Sequence, residues 1–553
     1  MKRLLAIYCA LFSGLLDAAT PIPQNFEPGQ IERQIGGQPD FSAVKPTPVI
    51  SDVAKVPDTL TGETFVLAGV LVEGATVYSN VEFLAFYQAL LGKKVTVGEV
   101  RKVADDITRH YKTHGYFLSS AFLPAQSIEY GVVRIRVVEG HIDRWQIKDS
   151  GGRVDPLVQG ILRPVLAQKP LQKSKLEHAF RTLSALPGLS LRPDVRPIPG
   201  QLGAYALTLE AKQKSFDGSV SFDNRGSEYI GPFQGVATIR AYDLMGHHES
   251  YQLSVATAAP TSELHYVDLG TDWILGPSGL RLQGNVSHTV SKPGGSLRFQ
   301  QARVVNERQQ IGLAYPLWQS AVESHWLSAF LGHYHSQTEL SGAKRLEDRL
   351  TSLNISYRRN WQQRSSTAQT VGVSIGQGLK LESSKVVDTQ ATSGVGRVDY
   401  TKLSVNYGLN HKLTESLFIT ALVDAQYAAT ELPTSERYSL GGAQFGRAYD
   451  PSEISGDHGL AVRLELSGPS FGQANSWRLA PYGYYDAGAV WQIKPAANTH
   501  ARNSLASLGL GIRAGYSGFD TFVEVSKPLT RSVSSQGRDG KDARIFAGGS
   551  YSF

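Results

Sequence analysis

Past about Phe216 the chain alternates apolar with polar or small residues and shows no helical periodicity. Tyr251-Gln-Leu-Ser-Val-Ala-Thr257, Ser352-Leu-Asn-Ile-Ser-Tyr357 and Lys402-Leu-Ser-Val-Asn-Tyr407 are examples. A period of two sends successive side chains to opposite faces of a strand. About sixteen such segments are legible, from near 215–225 to near 543–553. Each is long enough for the roughly ten-residue strand that crosses an outer membrane.

Most connections between these segments alternate in length, with a longish link near Gly468–Ser476 and a short one near Pro260 as the two exceptions. Met245-Gly-His-His248, Gly276-Pro-Ser-Gly279 and Ser517-Gly518 read as tight turns, whereas Glu382–Asp399, Thr430–His458, Trp491–Asn503 and Pro528–Ala543 read as long loops. Short turns at one rim and long loops at the other are the pattern of a transmembrane β-barrel with both chain ends in the periplasm. The last segment, Arg544–Phe553, places Ile545, Ala547, Tyr551 and Phe553 on its outward side. Trp273, Trp318, Trp326, Trp361, Trp477 and Trp491 mostly fall near strand ends, which fits interfacial aromatic girdles.

Between Phe65 and Lys214 the texture is mixed, and it repeats. Phe65–Gly74 predicts a strand, with Asn80 as the cap of a first helix carrying Phe83, Leu84, Tyr87, Leu90 and Leu91. Thr96 and Glu99 are spaced as a capping box ahead of a second helix with Val100, Val103, Ile107 and Tyr111 on one face. Gly115 ends it, and Tyr116–Pro124 and Val132–Glu139 read as closing strands. The same order returns: strand Ile142–Lys148, helices Leu157–Leu166 and Ser174–Leu186, strands Ser190–Arg196 and Tyr205–Ala211. A unit of about 75 residues used twice predicts two tandem α/β modules.

The N-terminus adds two features. Leu4–Leu16 is a short apolar run behind Lys2 and Arg3 and ahead of Ala18 and Ala19, the pattern of a secretory signal peptide over residues 1–19. Residues 20–62 read as linker, with two helical turns at Pro28–Ile35. Cys9 lies within the signal segment, so the exported chain is expected to hold no disulfide and to draw its stability from a closed sheet.

Composition narrows the functional classes. The net charge of +6 is scattered without a Lys/Arg block, which argues against nucleic acid. His247-His248 and His333-x-His335 have no Cys or converging carboxylates beside them, so a metal site is not expected. Ser, His and Asp are plentiful but nothing marks a catalytic triad, and no phosphate-binding Gly-x-x-x-x-Gly-Lys loop marks use of ATP. No cofactor is implied.

Three passages carry a family resemblance: Gly115-Tyr-Phe-Leu-Ser-Ser-Ala-Phe-Leu-Pro-Ala-Gln126 with Val137-Val-Glu-Gly140; Phe445-Gly-Arg-Ala-Tyr-Asp-Pro-Ser-Glu-Ile-Ser-Gly-Asp457; and Tyr484-Tyr-Asp-Ala-Gly488. With them the chain resembles the transporters of two-partner secretion (TpsB), the group of haemolysin activators and filamentous-haemagglutinin exporters. The resemblance implies a signal peptide (1–19), a plug helix and linker (20–62), two periplasmic polypeptide-transport-associated (POTRA) modules (63–140 and 141–213) and a barrel of sixteen antiparallel strands (214–553).

It also implies roles for residues. Gly446, Arg447 and Tyr449 form the tip of the sixth extracellular loop, which folds into the lumen, where Arg447 pairs with Asp486 near Gly488. Ala448 departs from the family's Gly and would be strained if that position has positive φ. An unfolded TpsA-type exoprotein would add a strand along a module edge built from Phe117, Leu118, Ala121, Phe122, Val133, Ile135 and Val137. Tyr551 and Phe553 form the terminal signal for the barrel-assembly machinery. The expected product is an outer-membrane, monomeric transporter in contact with lipid and lipopolysaccharide, moving its partner without ATP. A solute porin would lack the modules, and a barrel-assembly protein usually carries more than two.

Overall fold

The computed structural model describes residues 64–148, 156–320, 322–363, 366–388, 396–472, 476–495, 500–536 and 540–553. The expected signal peptide and plug helix lie outside these residues. In the first module, helices Asn80–Tyr87 and Val97–Thr113 pack on a three-stranded sheet of Gly69–Glu73, Val132–Val138 and Ser120–Phe122. Both arms of the capping box form: Glu99 N–H donates to Thr96 Oγ1 at 3.2 Å, and Thr96 N–H to Glu99 Oε2 at 2.7 Å. Val100, Val103, Ile107 and Tyr111 are buried on the face the period predicts.

Three local expectations fail here. Phe65–Gly74 is not one strand. Leu67 turns into the core, its N–H bonding Lys93 O and its carbonyl accepting from Gly92, so Thr64–Val66 pairs with Lys94–Thr96 while Gly69–Glu73 joins the main sheet. The first helix is capped at Ser79, not Asn80. Of Tyr116–Pro124 only Ser120–Phe122 is strand, because Tyr116–Leu118 turns away toward the second module.

That second module repeats the order with His141–Lys148, helices Pro156–Leu166 and Lys173–Ser184, and strands Leu189–Pro197 and Ala204–Gln213, the last at the sheet centre. The modules are fastened together. Leu118 is part of the second module's core with Ile142, Leu171 and Tyr205. Leu171 N–H donates to Gly140 O and Lys173 N–H to Gly115 O, both at 2.8 Å. The barrel joins in turn: Ile274, at the end of its fourth strand, completes the same core, and Gly160 lies so close to Pro277 that a Cβ would meet its Cγ at 2.6 Å.

Sixteen antiparallel strands close the barrel, from Phe216–Asp223 to Arg544–Ser552, with Lys385–Asp388 added to the outer part of the eighth strand. Ile545, Tyr551 and Phe553 face outward, as expected, and Phe546 inward. Strands six to eight are the tallest: Arg303–Gln319, Glu323–Leu340 and Ala343–Gln363 have 17, 18 and 21 residues. Their outward face is apolar at Ile311, Leu331, Leu353 and Ile355. Farther toward the extracellular rim the same face carries charge. His335 lies 3.8 Å from both Glu307 and Glu347, and Glu347 also meets Lys385 at 2.9 Å.

Candidate functional site: lumen anchor and periplasmic edges

The long connection between strand eleven (Phe418–Ala428) and strand twelve (His458–Ser467) folds back into the barrel. It doubles on itself through a short hairpin, Tyr438–Leu440 against Ile454–Gly456. Its stem is tied to the rim by Lys402–Glu436 at 2.7 Å and by Asp457, which accepts from Leu432 N–H at 2.8 Å and Ile493 N–H at 2.9 Å.

The tip reaches the wall made by strands twelve to sixteen. Inward positions there come in register: Glu465 opposite Tyr484, Tyr484 opposite Gly509, and likewise Tyr482 opposite Gly511 and Gly511 opposite Glu524. Gly509 and Gly511 make this wall possible. A Cβ at either would meet the neighbouring tyrosine ring at 2.4 and 2.6 Å, so only glycine lets both rings lie along the sheet. From there Tyr482 Oη donates to Glu524 at 2.8 Å, and Tyr484 Oη reaches Glu524 at 3.2 Å and Ser526 at 2.6 Å.

Arg447 enters this pocket, only 8% exposed. Its guanidinium donates to Glu465 at 3.0 Å and to Glu524 at 3.3 Å and lies 4.5 Å from the centre of the Tyr484 ring. Each carboxylate has a second arginine. Arg513 grips Glu465 with two bonds of 2.6 and 3.0 Å, and Arg225 holds Glu524 at 2.9 Å. Burying such charges is tolerable only because each is paired and hydrogen-bonded.

The expected pairing of Arg447 with Asp486 is therefore corrected. Asp486, fully buried, accepts the main-chain N–H of Arg447 at 3.1 Å and the Ser507 hydroxyl, while the guanidinium passes on to the glutamates. Gly446 explains this: at φ +75° it turns the chain so that the backbone, not the side chain, faces Asp486. Ala448 is absent from the positive-φ residues, so the anticipated strain does not arise. Gly488 leaves room for Leu440 of the loop, whose Cδ1 would lie 2.6 Å from a Cβ there. Tyr449 is buried with its hydroxyl donating to Ala506 O at 3.1 Å.

Glu465, Glu524, Arg513 and Arg225 were not singled out from sequence. The available signal was their type: charged residues at inward parity on late strands, or just past the first. Beside the loop a cavity of about 390 Å³ remains, lined by Arg225, Lys402, Asp424 and Gln444 among others.

The periplasmic edge also needs correcting. Val133, Ile135 and Val137 lie on the central strand of the first module, paired on both sides, and are buried. Beyond the end of Ser120–Phe122 the Gln126 amide continues the pairing: it accepts Arg134 N–H at 2.8 Å and donates to Arg134 O at 2.7 Å. The outer side of Ala121 is taken by Thr108 Oγ1, which accepts its N–H at 2.8 Å. Leu118 is buried and Phe117 packs against the second module's core, and neither is strand. Phe122 alone stays at the rim of that short strand, partly exposed. Besides Ser120–Phe122, the strands that end these two sheets are Gly69–Glu73, where Leu71 is exposed, His141–Lys148 and Leu189–Pro197.

The Val137-Val-Glu-Gly140 stretch is architectural. The Glu139 carboxylate accepts from Thr76 N–H at 2.8 Å, Val77 N–H at 3.1 Å, Tyr111 Oη at 2.9 Å and the Thr76 hydroxyl. Burial acts to raise its pKa, but these donors outweigh it and hold the carboxyl below its ordinary value. At the other end of the chain, the Tyr551 ring lies tilted against that of Phe519 with centroids 4.3 Å apart, and Phe553 exchanges main-chain bonds with Gly218 on the first strand.

Comparison with known proteins agrees with this architecture. The family model for the haemolysin secretion/activation protein ShlB/FhaC/HecB matches residues 206–514, and that for the ShlB-type POTRA domain matches 65–140. The heme/hemopexin transporter protein HuxB of Haemophilus influenzae is 22% identical over 478 residues, 80% of each chain. The outer membrane transporter CdiB of Escherichia coli is 22% identical over 469 residues, 82% of this chain and 78% of the relative. Among solved structures, CdiB from Escherichia coli superposes with a TM-score of 0.74 at 19% identity, covering 97% of this chain and all of the other. BamA from Haemophilus ducreyi lacking POTRA domains 1–3 gives 0.52 at 14% identity, covering 88% of this chain and all of the other. With closed barrel, inward loop and tandem modules in place, the chain belongs to the ShlB/FhaC/HecB haemolysin secretion/activation family, the outer-membrane TpsB transporters of two-partner secretion, whose POTRA modules stand in the periplasm.

Proposed function

We propose that this transporter takes an unfolded TpsA-type exoprotein from the periplasm and passes it through its own barrel to the cell surface without a nucleotide. The observation that supports the reading is how the parts adjoin. Two modules with sheet-ending strands are fixed to the periplasmic turns of a barrel whose lumen holds a folded-in loop, bound by ion pairs at its tip and by an apolar cluster of Tyr438, Leu440, Phe445, Tyr449 and Ile454 with the wall. An extended client can add to Gly69–Glu73 or His141–Lys148 through main-chain hydrogen bonds, which need no particular side-chain sequence. The loop tip is held by ion pairs and hydrogen bonds beside a cavity, contacts that an entering polar chain can replace. The assembly of this barrel is assigned to the outer-membrane assembly machinery acting on the terminal Tyr551–Phe553 strand, and the chain to a monomer in lipid.

The test is reconstitution. Purified transporter in liposomes, given an unfolded fragment of its genetically linked exoprotein and no nucleotide, is expected to move the fragment to a protease-protected compartment. A photo-crosslinking residue at Leu71 is expected to capture the fragment, whereas one at the exposed Tyr130, off the edge, is not. Translocation that demands nucleotide, or that accepts only folded fragment, would refute the reading.

A further inference from the structure

The first and last barrel strands meet along the shortest ladder in the barrel wall. Five register pairs join them, Asp223–Gly548 to Ser219–Ser552, whereas every other neighbouring pair of barrel strands shares at least eight. Toward the extracellular side the first strand ends while the last continues, and Asn224 stands in for the missing strand. Its N–H donates to Ala547 O at 3.2 Å, its side-chain oxygen accepts Ala547 N–H at 2.8 Å, and its amide donates to Ile545 O at 3.0 Å. One residue thus closes this half of the seam on the main-chain side.

Two arginines flank that residue's contact, one from each strand, and both lead to the loop tip. Arg225, next to Asn224, bonds Glu524, the carboxylate that also receives Arg447. Arg544, on the last strand, donates to Ala448 O at 3.0 Å and to Asp450 at 2.8 Å. The ring of Phe546 lies between the two guanidinium groups, 4.7 Å from Arg225 and 5.0 Å from Arg544. Glu524 and Asp450 are fully buried, and the arginine side chains are 11% and 15% exposed.

We propose that the tip of the sixth loop is a clasp across the closing seam. Through Arg447 and Glu524 it holds the end of the first strand; through Ala448 and Asp450 it holds the last. When the tip leaves its pocket, Arg544 loses its partners and Glu524 loses one of its two cations. The extracellular half of the seam, from Asn224 to Ile545, is then retained by the Asn224 bonds and by Arg225 on Glu524 and the Phe546 ring, with nothing left to hold Arg544 of the last strand to the loop. Clearing the lumen and loosening its wall become one event. The inference deepens the transport reading, since it makes Arg225 and Arg544 positioning residues for the moving loop, but its test needs no exported partner.

Amide hydrogen exchange on the whole protein in nanodiscs reads it directly. In the double variant Arg447→Ala/Asp450→Ala, exchange at residues 219–224 and 544–549 is expected to quicken about tenfold, equivalent to roughly 1.4 kcal/mol. Exchange along Ser250–Ala259 and Leu264–Ile274 is expected to stay as in the parent, with heat-modifiable gel mobility confirming a closed barrel. Exchanging the charges, Asp450→Arg with Arg544→Asp, is expected to restore slow exchange at 544–549 that Asp450→Arg alone loses. If the double variant speeds exchange only within 441–456 and leaves the seam as slow as before, the clasp is wrong. Should that variant fail to fold, Arg544→Ala alone gives the same comparison, and an unchanged seam there is equally fatal.

Discussion

Glu524 collects donors from Arg225, Arg447, Tyr482, Tyr484 and Ser526, more than any other side chain in the anchor. Arg447, the residue that the loop motif makes conspicuous, is less isolated than it looks. If it is removed, Glu465 keeps Arg513 and Glu524 keeps Arg225. Breaking a buried pair typically costs about 3–5 kcal/mol because a charge is stranded, and here none is. Arg447→Ala is therefore expected to lower barrel stability by less than that range, while Glu524→Ala, which leaves Arg225 without its carboxylate, approaches it. Thermal unfolding followed by gel mobility should rank Glu524→Ala clearly below Arg447→Ala; equal midpoints would show that the hub lies elsewhere.

At the level of elements, the first module rests on one carboxylate that ties the end of its central strand to the loop after Gly69–Glu73 and to the long helix. Because Glu139 has a depressed pKa in the folded module, its contribution is complete above the ordinary glutamate value of 4.5 and is lost as pH falls through the lower folded value. Urea titrations monitored by the near-ultraviolet signal of the Tyr78, Tyr111 and Tyr116 rings are expected to show midpoints that drop below about pH 4.5. Glu139→Gln should start lower at neutral pH and show a shallower drop in that acidic window; a parent-like slope would remove Glu139 from the explanation.

The elements also show what the chain made legible. Barrel strands declare themselves because lipid outside and water inside enforce a period of two over ten or more residues. Helix Val97–Thr113 declares itself through its period and its capping box. Short pieces do not. Leu67 looks like the middle of a strand, yet its backbone is claimed by Gly92 and Lys93, a contact invisible to local pattern. Val133, Ile135 and Val137 read as an edge because alternation says which face is buried and nothing about which strand is central. The anchor was half legible for the same reason. Gly446 and Asp486 sit in recognisable motifs, whereas Glu465, Glu524, Arg225 and Arg513 are single polar positions whose meeting depends on barrel closure.

Across the whole molecule, packing contacts run from the first module to the barrel: Leu118 completes the second module's core, and Ile274 of the barrel completes it from the other side. The opposite rim is uneven. At about 3.3 Å per residue and a tilt near 40°, the roughly 25 Å of hydrocarbon uses some ten residues of a strand. The eighth strand, at 21 residues, has about as many left over, and they stand clear of the lipid on one side of the mouth. Mutational tolerance should follow that waterline. An arginine in place of Leu331 is expected to cost about 2–4 kcal/mol, as charge at the bilayer midplane does, whereas the same change at His335, four residues or roughly 10 Å higher on the same face and so near the interface, should cost about 0–1 kcal/mol, read by refolding into vesicles. The parapet is thus the stretch of barrel where new surface chemistry can accumulate without disturbing the pore beneath it.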